Sequence, residues 1–139
     1  MARPPRPVAL ITGASRGIGR ALALQLADEH ELWLCARKLE SLDDTVAALG
    51  EREGTRRFAC DLADASARAA FLAELDGAGE VDILINNAGL AESAPLSKTS
   101  DELWDRAIDV NLRAPFELAR ALAPKMGKRG WGRIVNVAS

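Results

Sequence analysis

A chain of 139 residues is long enough to bury the core of one domain and too short for two comfortable ones. Its 48% apolar and 27% charged residues are ordinary for a soluble globular protein. A formal net charge of −2 excludes a broad nucleic-acid-binding surface but leaves room for a local basic pocket. No stretch approaches the ~20 apolar residues of a membrane span. The start, Met1-Ala2-Arg3-Pro4-Pro5-Arg6-Pro7, lacks the apolar core of a signal peptide. Cys35 and Cys60 offer neither a metal-ligand spacing nor a disulfide framework, and are expected to be reduced, buried residues of a cytoplasmic protein. There is no tyrosine.

In chain order, the early prolines give an extended lead-in to a first strand, Val8-Ala9-Leu10-Ile11, apolar throughout as befits a strand covered on both faces. Thr12-Gly13-Ala14-Ser15-Arg16-Gly17-Ile18-Gly19 turns into a helix ending near Asp28, with a stripe of Ile18, Ala21, Leu22, Gln25 and Leu26. A second strand, Glu31–Ala36, runs into Arg37-Lys38, and a second helix spans about Leu39 to Leu49 before Gly50. Arg57–Cys60 is a third strand ending at Asp61-Leu62, followed by a helix from about Asp64 to Leu75 that buries Phe71, Leu72 and Leu75. Val81–Ile85 is a fourth strand and leads into Asn86-Asn87-Ala88-Gly89. Thr99 and Glu102 stand in capping-box register before a helix that passes Asn111 and bends near Pro115 into a longer one ending at Lys128-Arg129. Arg133–Ser139 is the fifth strand.

Strands alternating with helix-length crossovers predict an α/β fold with a doubly wound parallel sheet of order 3-2-1-4-5, incomplete at its C-terminus. Ligands of such sheets sit over the carboxyl ends of the strands, at the switch between strands one and four. A glycine-rich turn there lets backbone N–H groups and a helix N-terminus approach a phosphate, which the helix dipole favours. Plain turn chemistry is the other use of such glycines, but the remaining motifs also fall at strand carboxyl ends.

The glycines at 13, 17 and 19 follow G-x-x-x-G-x-G rather than the G-x-G-x-x-G fingerprint. With TGASRGIG, the Asp61-Leu62 pair, NNAG, Val110-Asn111-Leu112 and GRIVNVAS in order from about Val8 onward, the chain resembles the short-chain dehydrogenase/reductase family, and in style its 3-oxoacyl-carrier-protein reductase-like members. The resemblance implies a Rossmann-type, NAD(P)-binding domain over 1–139, truncated after the fifth strand. It implies that Gly13, Ser15, Gly17, Ile18 and Gly19 cradle the pyrophosphate, that Asp61 and Leu62 lie against the adenine, that Asn87, Ala88 and Gly89 run beside the adenosine ribose, and that Val110 also belongs to the cofactor site. Asp61 also suits a helix cap and Asn87 a tie between strands, and each can serve both ends. Asp82, inside a strand, reads as a structural hydrogen-bonding group.

Arg37 lies 18 residues beyond Gly19, close to where an NAD-selective site carries an acid against the ribose 2′-hydroxyl. A carboxylate there repels a 2′-phosphate, whereas Arg37 can grip one through its fork, with Arg16 and Lys38 adding charge. NADP(H) is therefore expected over NAD(H). The family's chemistry uses a tyrosine, a lysine four residues on, a serine and an asparagine. Asn111 matches the asparagine and Ser139 the serine, while the tyrosine and lysine would lie beyond Ser139. Lys125 and Lys128 fall on the side of the sheet away from the cofactor, and His30 caps the first helix.

The expected function is hydride transfer between NADP(H) and a small carbonyl or alcohol, with this chain alone inactive. The alternative is a non-catalytic NADP(H)-binding module; a nucleotide-sugar epimerase or a methyltransferase fits the glycine spacing and Arg37 less well. No nucleic-acid or membrane partner is expected, and the full-length form is expected to be a homodimer or homotetramer. A chain ending on an apolar fifth strand is expected to self-associate.

Overall fold

The computed structural model describes residues 3–138. It contains β1 (Val8–Thr12), α1 (Gly17–Leu26), β2 (Glu31–Ala36), α2 (Asp43–Leu49), β3 (Arg56–Ala59), α3 (Ala65–Ala78), β4 (Ile83–Asn86), α4 (Asp101–Ile108), α5 (Ala114–Arg129) and β5 (Arg133–Asn136). The strands form one parallel sheet in the order β3-β2-β1-β4-β5, as the alternation of elements requires. Leu10 stands opposite Trp33 and Leu84, and Ile11 opposite Leu34 and Ile85.

Because successive side chains of a strand point to opposite faces, β1 feeds two cores. Leu10 joins Trp33, Phe58, Phe71, Leu84, Leu118 and Leu122 on the face covered by α3 and α5. Ala9 and Ile11 join Leu32, Leu34, Ala23 and Leu42 on the face covered by α1 and α2. Each large side chain buried this way contributes roughly 1.5–3 kcal/mol. An apolar run without alternation is the pattern such a strand needs.

Three local readings change. The buried line of α1 is Gly19 and Ala23, flanked by Leu22 and Leu26, while Ile18 is 61% exposed. Gly19 has to face inward, since a Cβ there would lie 2.1 Å from the Gly13 carbonyl oxygen, and this rotates Ile18 out. The N-cap of α4 is Ser100, whose Oγ accepts from the Leu103 N–H at 3.1 Å; Thr99 donates its hydroxyl to the Pro95 carbonyl at 3.2 Å instead. Pro115 makes no break: α4, the segment before the proline and α5 keep a continuous helical backbone, and the ring, which has no N–H to donate, is taken up by a wider turn. The widening lies just before it, a π-turn over Asp109–Arg113 that carries Asn111. The ladder of β5 closes at Asn136, and Ser139 lies outside the described residues.

Candidate functional site

The glycine turn leaves β1 at Thr12, whose buried hydroxyl accepts from the backbone N–H groups of Asn87 (3.1 Å) and Ala88 (3.0 Å). Asn87 answers with its side-chain amide, donating to the carbonyls of Thr12 and Gly13, both at 3.1 Å. The expected tie between strands is thus present, and it locks the turn after β1 to the turn after β4. Gly13 has φ +65°, and a Cβ there would come within 2.9 Å of the Ala88 Cα. The glycine is required twice, by conformation and by space.

Helix α1 then opens without help. Arg16, extended at φ −158°, offers no side-chain cap, and the first turn contains no acid. Its orphan N–H groups and the positive end of the helix dipole therefore face the strand ends uncompensated, which is the arrangement an anion requires. Ser15 and Gly17 border this opening, and Ile18 projects beside it.

Three cations flank the opening: Arg16 in the glycine turn, and Arg37 with Lys38 directly after β2. All are exposed, and none pairs with a carboxylate among the described residues. The two segments are stapled together. The Ala14 N–H donates to the Cys35 carbonyl at 3.1 Å, and the Thr45 hydroxyl, from α2, donates to the Ala14 carbonyl at 2.9 Å with the Ser15 carbonyl at 3.3 Å.

On the other side of β4, Asn111 grips the loop after NNAG. Its Oδ1 accepts from the Leu90 N–H at 2.8 Å and its Nδ2 donates to the Leu90 carbonyl at 2.9 Å. A Cβ at Gly89 would meet Asn111 Oδ1 at 3.6 Å, an ordinary contact, so Gly89 borders this pair without being required by it. Val110, partly buried, packs on the core behind it. Asp61 is exposed and accepts only from the Ala63 N–H, at 3.0 Å. The cap of α3 is Asp64, which accepts from the Ala67 N–H at 2.9 Å, so the capping alternative for Asp61 is corrected. The Ser66 hydroxyl and that N–H hold the Asp64 carboxyl below its ordinary range. Leu62 is buried, and its carbonyl accepts from Arg68 at 2.9 Å.

Arg68 was not singled out by pattern, since it interrupts an Ala-rich helix that reads as exposed there. It is 4% exposed, and its guanidinium meets Glu117 at 2.8 Å and Asp109 at 3.6 Å. Thr45 was missed as well, although one polar residue beside the apolar line of Leu42, Val46 and Leu49 is a usable signal.

Other residues resolve as structural. Asp82 accepts from the Val8 N–H at 2.9 Å and from Arg129 at 3.3 Å. His30 bonds the Leu26 carbonyl at 3.1 Å through Nδ1 and Arg3 through Nε2, the helix-end role expected of it. Lys125 pairs with Asp76, and Arg129 near it reaches the Val81 carbonyl at the amino end of β4, far from the glycine turn. Burial pushes the Cys35 thiol far up. It pushes Cys60 up to about 11, with the Asp61 carboxylate adding to the effect. Among the described residues no cluster of metal-ligating side chains occurs, and no helix is long and apolar enough to cross a membrane.

A parallel sheet of this order with a glycine turn from β1 into α1 defines a Rossmann-type nucleotide-binding domain. More narrowly, residues 7–139 match the short chain dehydrogenase family, and the chain belongs to it. It is 38% identical over 138 residues to the 2-dehydro-3-deoxy-D-gluconate 5-dehydrogenase of Pseudoalteromonas atlantica, covering 95% of this chain and 54% of that protein. The crystal structure of a metagenomic short-chain oxidoreductase in complex with NADP is 42% identical with a TM-score of 0.84, over 96% of this chain and 61% of that one. A short-chain dehydrogenase from Sphingobium yanoikuyae in complex with NADPH is 38% identical with a TM-score of 0.87, over 96% and 53%. Proteins assigned as polyketide-synthase ketoacyl reductases are also among the relatives. The chain spans about half the length of the curated relatives it matches.

Proposed function

We propose that residues 1–139 form the nucleotide-binding domain of an NADP(H)-dependent oxidoreductase, and that the whole protein transfers hydride between the nicotinamide and a small carbonyl or alcohol. The observation that carries this reading is the placement of Arg16, Arg37 and Lys38, exposed and without a carboxylate partner among the described residues, after the paired ends of β1 and β2 beside an uncapped and acid-free α1 N-terminus. The helix end and the amides of the turn after Gly13 suit the pyrophosphate, and the basic trio suits the 2′-phosphate. Complexes of two structural neighbours with NADP and NADPH support the same cofactor. Asp61 and Leu62 on one side, with Asn87, Ala88, Gly89 and Val110 on the other, are the residues we assign to the adenosine.

Asn111 and Ser139 are the chemical residues of this half. Both side-chain functions of Asn111 are spent on Leu90, so its role in this reading is to hold the loop after β4 in shape beside the reacting end. No tyrosine occurs among these 139 residues, so within them we assign cofactor binding and orientation rather than proton transfer. Exposed Trp104 on α4, Leu112 on the π-turn and Phe116 on α5 support a homo-oligomeric full-length form.

The test is titration of the chain with NADPH and NADH, by calorimetry, for the natural sequence and for Arg37→Asp. We expect NADPH to bind more tightly, and Arg37→Asp to weaken it by about tenfold to a hundredfold while sparing NADH, from loss of charge-assisted hydrogen bonds worth about 1.5–3 kcal/mol. An unchanged ratio removes Arg37 from the site.

A further inference from the structure

The two basic segments assigned to the 2′-phosphate come from different strands, so something has to fix how far apart they stand. Arg16 follows the glycine turn after β1, and Arg37 follows β2. Between them the backbone of Ala14 is held from both sides. Its N–H donates to the carbonyl of Cys35, two residues before Arg37, at 3.1 Å. Its carbonyl accepts the Thr45 hydroxyl at 2.9 Å, and the same hydroxyl lies 3.3 Å from the carbonyl of Ser15, the residue next to Arg16. Thr45 is 0% exposed, within the apolar core shared by Ala14, Leu42 and Leu49. No water can replace its hydroxyl there without opening that core, so the tether has one chemical form.

We propose that Thr45 is a positioning residue for cofactor discrimination: its hydroxyl sets the placement of the Arg16 turn against the Arg37 strand end, and so the width of the cationic site for a 2′-phosphate. The proposal rests on the NADP(H) reading and goes further, because Thr45 is too deeply buried to touch any nucleotide. The Gly13 end of the pyrophosphate cradle has its own anchor, the Thr12 and Asn87 bonds on the β4 side, whereas Thr45 acts on the Ser15 end, next to Arg16. Loss of the Thr45 hydroxyl therefore loosens the basic pair more than the cradle. A two-point grip on one phosphate depends on that spacing; the contacts shared by both cofactors do not.

The experiment compares dissociation constants of NADPH and NADH for the natural chain, Thr45→Val and Thr45→Ser. Valine keeps the shape and deletes the hydroxyl; serine keeps the hydroxyl. Thr45→Val is expected to weaken NADPH by about tenfold and NADH by less than about threefold, and Thr45→Ser to restore the natural ratio. Should Thr45→Val not fold, Thr45→Ala deletes the same hydroxyl without adding a methyl against the Ala14 carbonyl, and carries the same expectation. Equal weakening of both cofactors, or a serine variant that behaves like valine, overturns the role of Thr45 while leaving the cofactor reading intact. Failure of the natural chain to bind either nucleotide overturns the cofactor reading, and this proposal with it.

Discussion

The middle of the sheet and its β5 edge are built from similar residues and live in different surroundings. In β1 and β2 every residue after the first is buried, whereas all four residues of β5 are exposed, with Ile134 at 38% and Val135 at 46%. β1 and β5 both carry valine and isoleucine, those of β5 standing between Arg133 and Asn136. The difference is coverage: β1 and β2 pair on two sides and carry helices on both faces, while β5 pairs with β4 alone. An apolar run announces a strand, but its neighbours decide how much that run stabilises the fold.

The contrast can be broken most directly by truncation. Leu34→Ala in β2 is expected to cost about 2–5 kcal/mol, and Ile134→Ala in β5 less than about 0.5 kcal/mol, measured by denaturant unfolding. Equal losses would mean that the edge is packed in solution as tightly as the centre, as self-association through β5 would make it. Light scattering on the same samples distinguishes that cause.

A second test concerns what holds α3 to α5 over the central face. Arg68→Ala is expected to destabilise by about 3 kcal/mol, the lower end for a broken buried ion pair, because Asp109 keeps Arg113 at 2.8 Å. The double variant Arg68→Met with Glu117→Met, which removes both charges, is expected to recover most of that loss. If Arg68→Ala is silent, the covering helices are held by apolar contact alone.

The smallest effect is a pH dependence confined to the buried half. Cys60 titrates near 9.0 when unfolded and at about 11 in the fold, since burial penalises the thiolate. The raised value favours the protonated folded form, so this contribution is fully present below pH 9 and is lost as pH rises through 11. Between pH 7 and 11 the melting temperature of the natural chain is expected to fall relative to that of Cys60→Ala, which has no thiol to ionise in the unfolded state. Labelling of the native chain with a thiol reagent at pH 7 is expected to be slow at both cysteines.

Much of the site was legible because its demands are local. A turn from strand to helix that admits a phosphate needs glycine where backbone must pass backbone, and Gly13 and Gly19 meet Ala88 and each other at distances no Cβ allows. The parallel pairing follows from crossover length, and the order from right-handed crossovers together with the glycine turn after β1. Residues whose roles depend on a distant partner were not legible. Arg68 looks like a surface arginine until Glu117, far along the chain, is brought to 2.8 Å, and Thr45 looks like one more helical residue until Ala14 arrives above it.

Helix phase depends on a remote partner in the same way: hydrophobicity favours a stripe through Ile18, but the nearness of Gly13 to Gly19 outweighs it. Capping went to Ser100 rather than Thr99 because a preceding 3-10 turn had already taken the threonine hydroxyl. By itself, then, the sequence determined the alternation of elements, the order of the sheet and the glycine turn, since these follow from residue type and spacing along one chain. Tertiary structure decided the bonds of Asn111, the buried arginine and the tether at Thr45, because a hydrogen bond or an ion pair exists only once two remote segments share the same few ångströms.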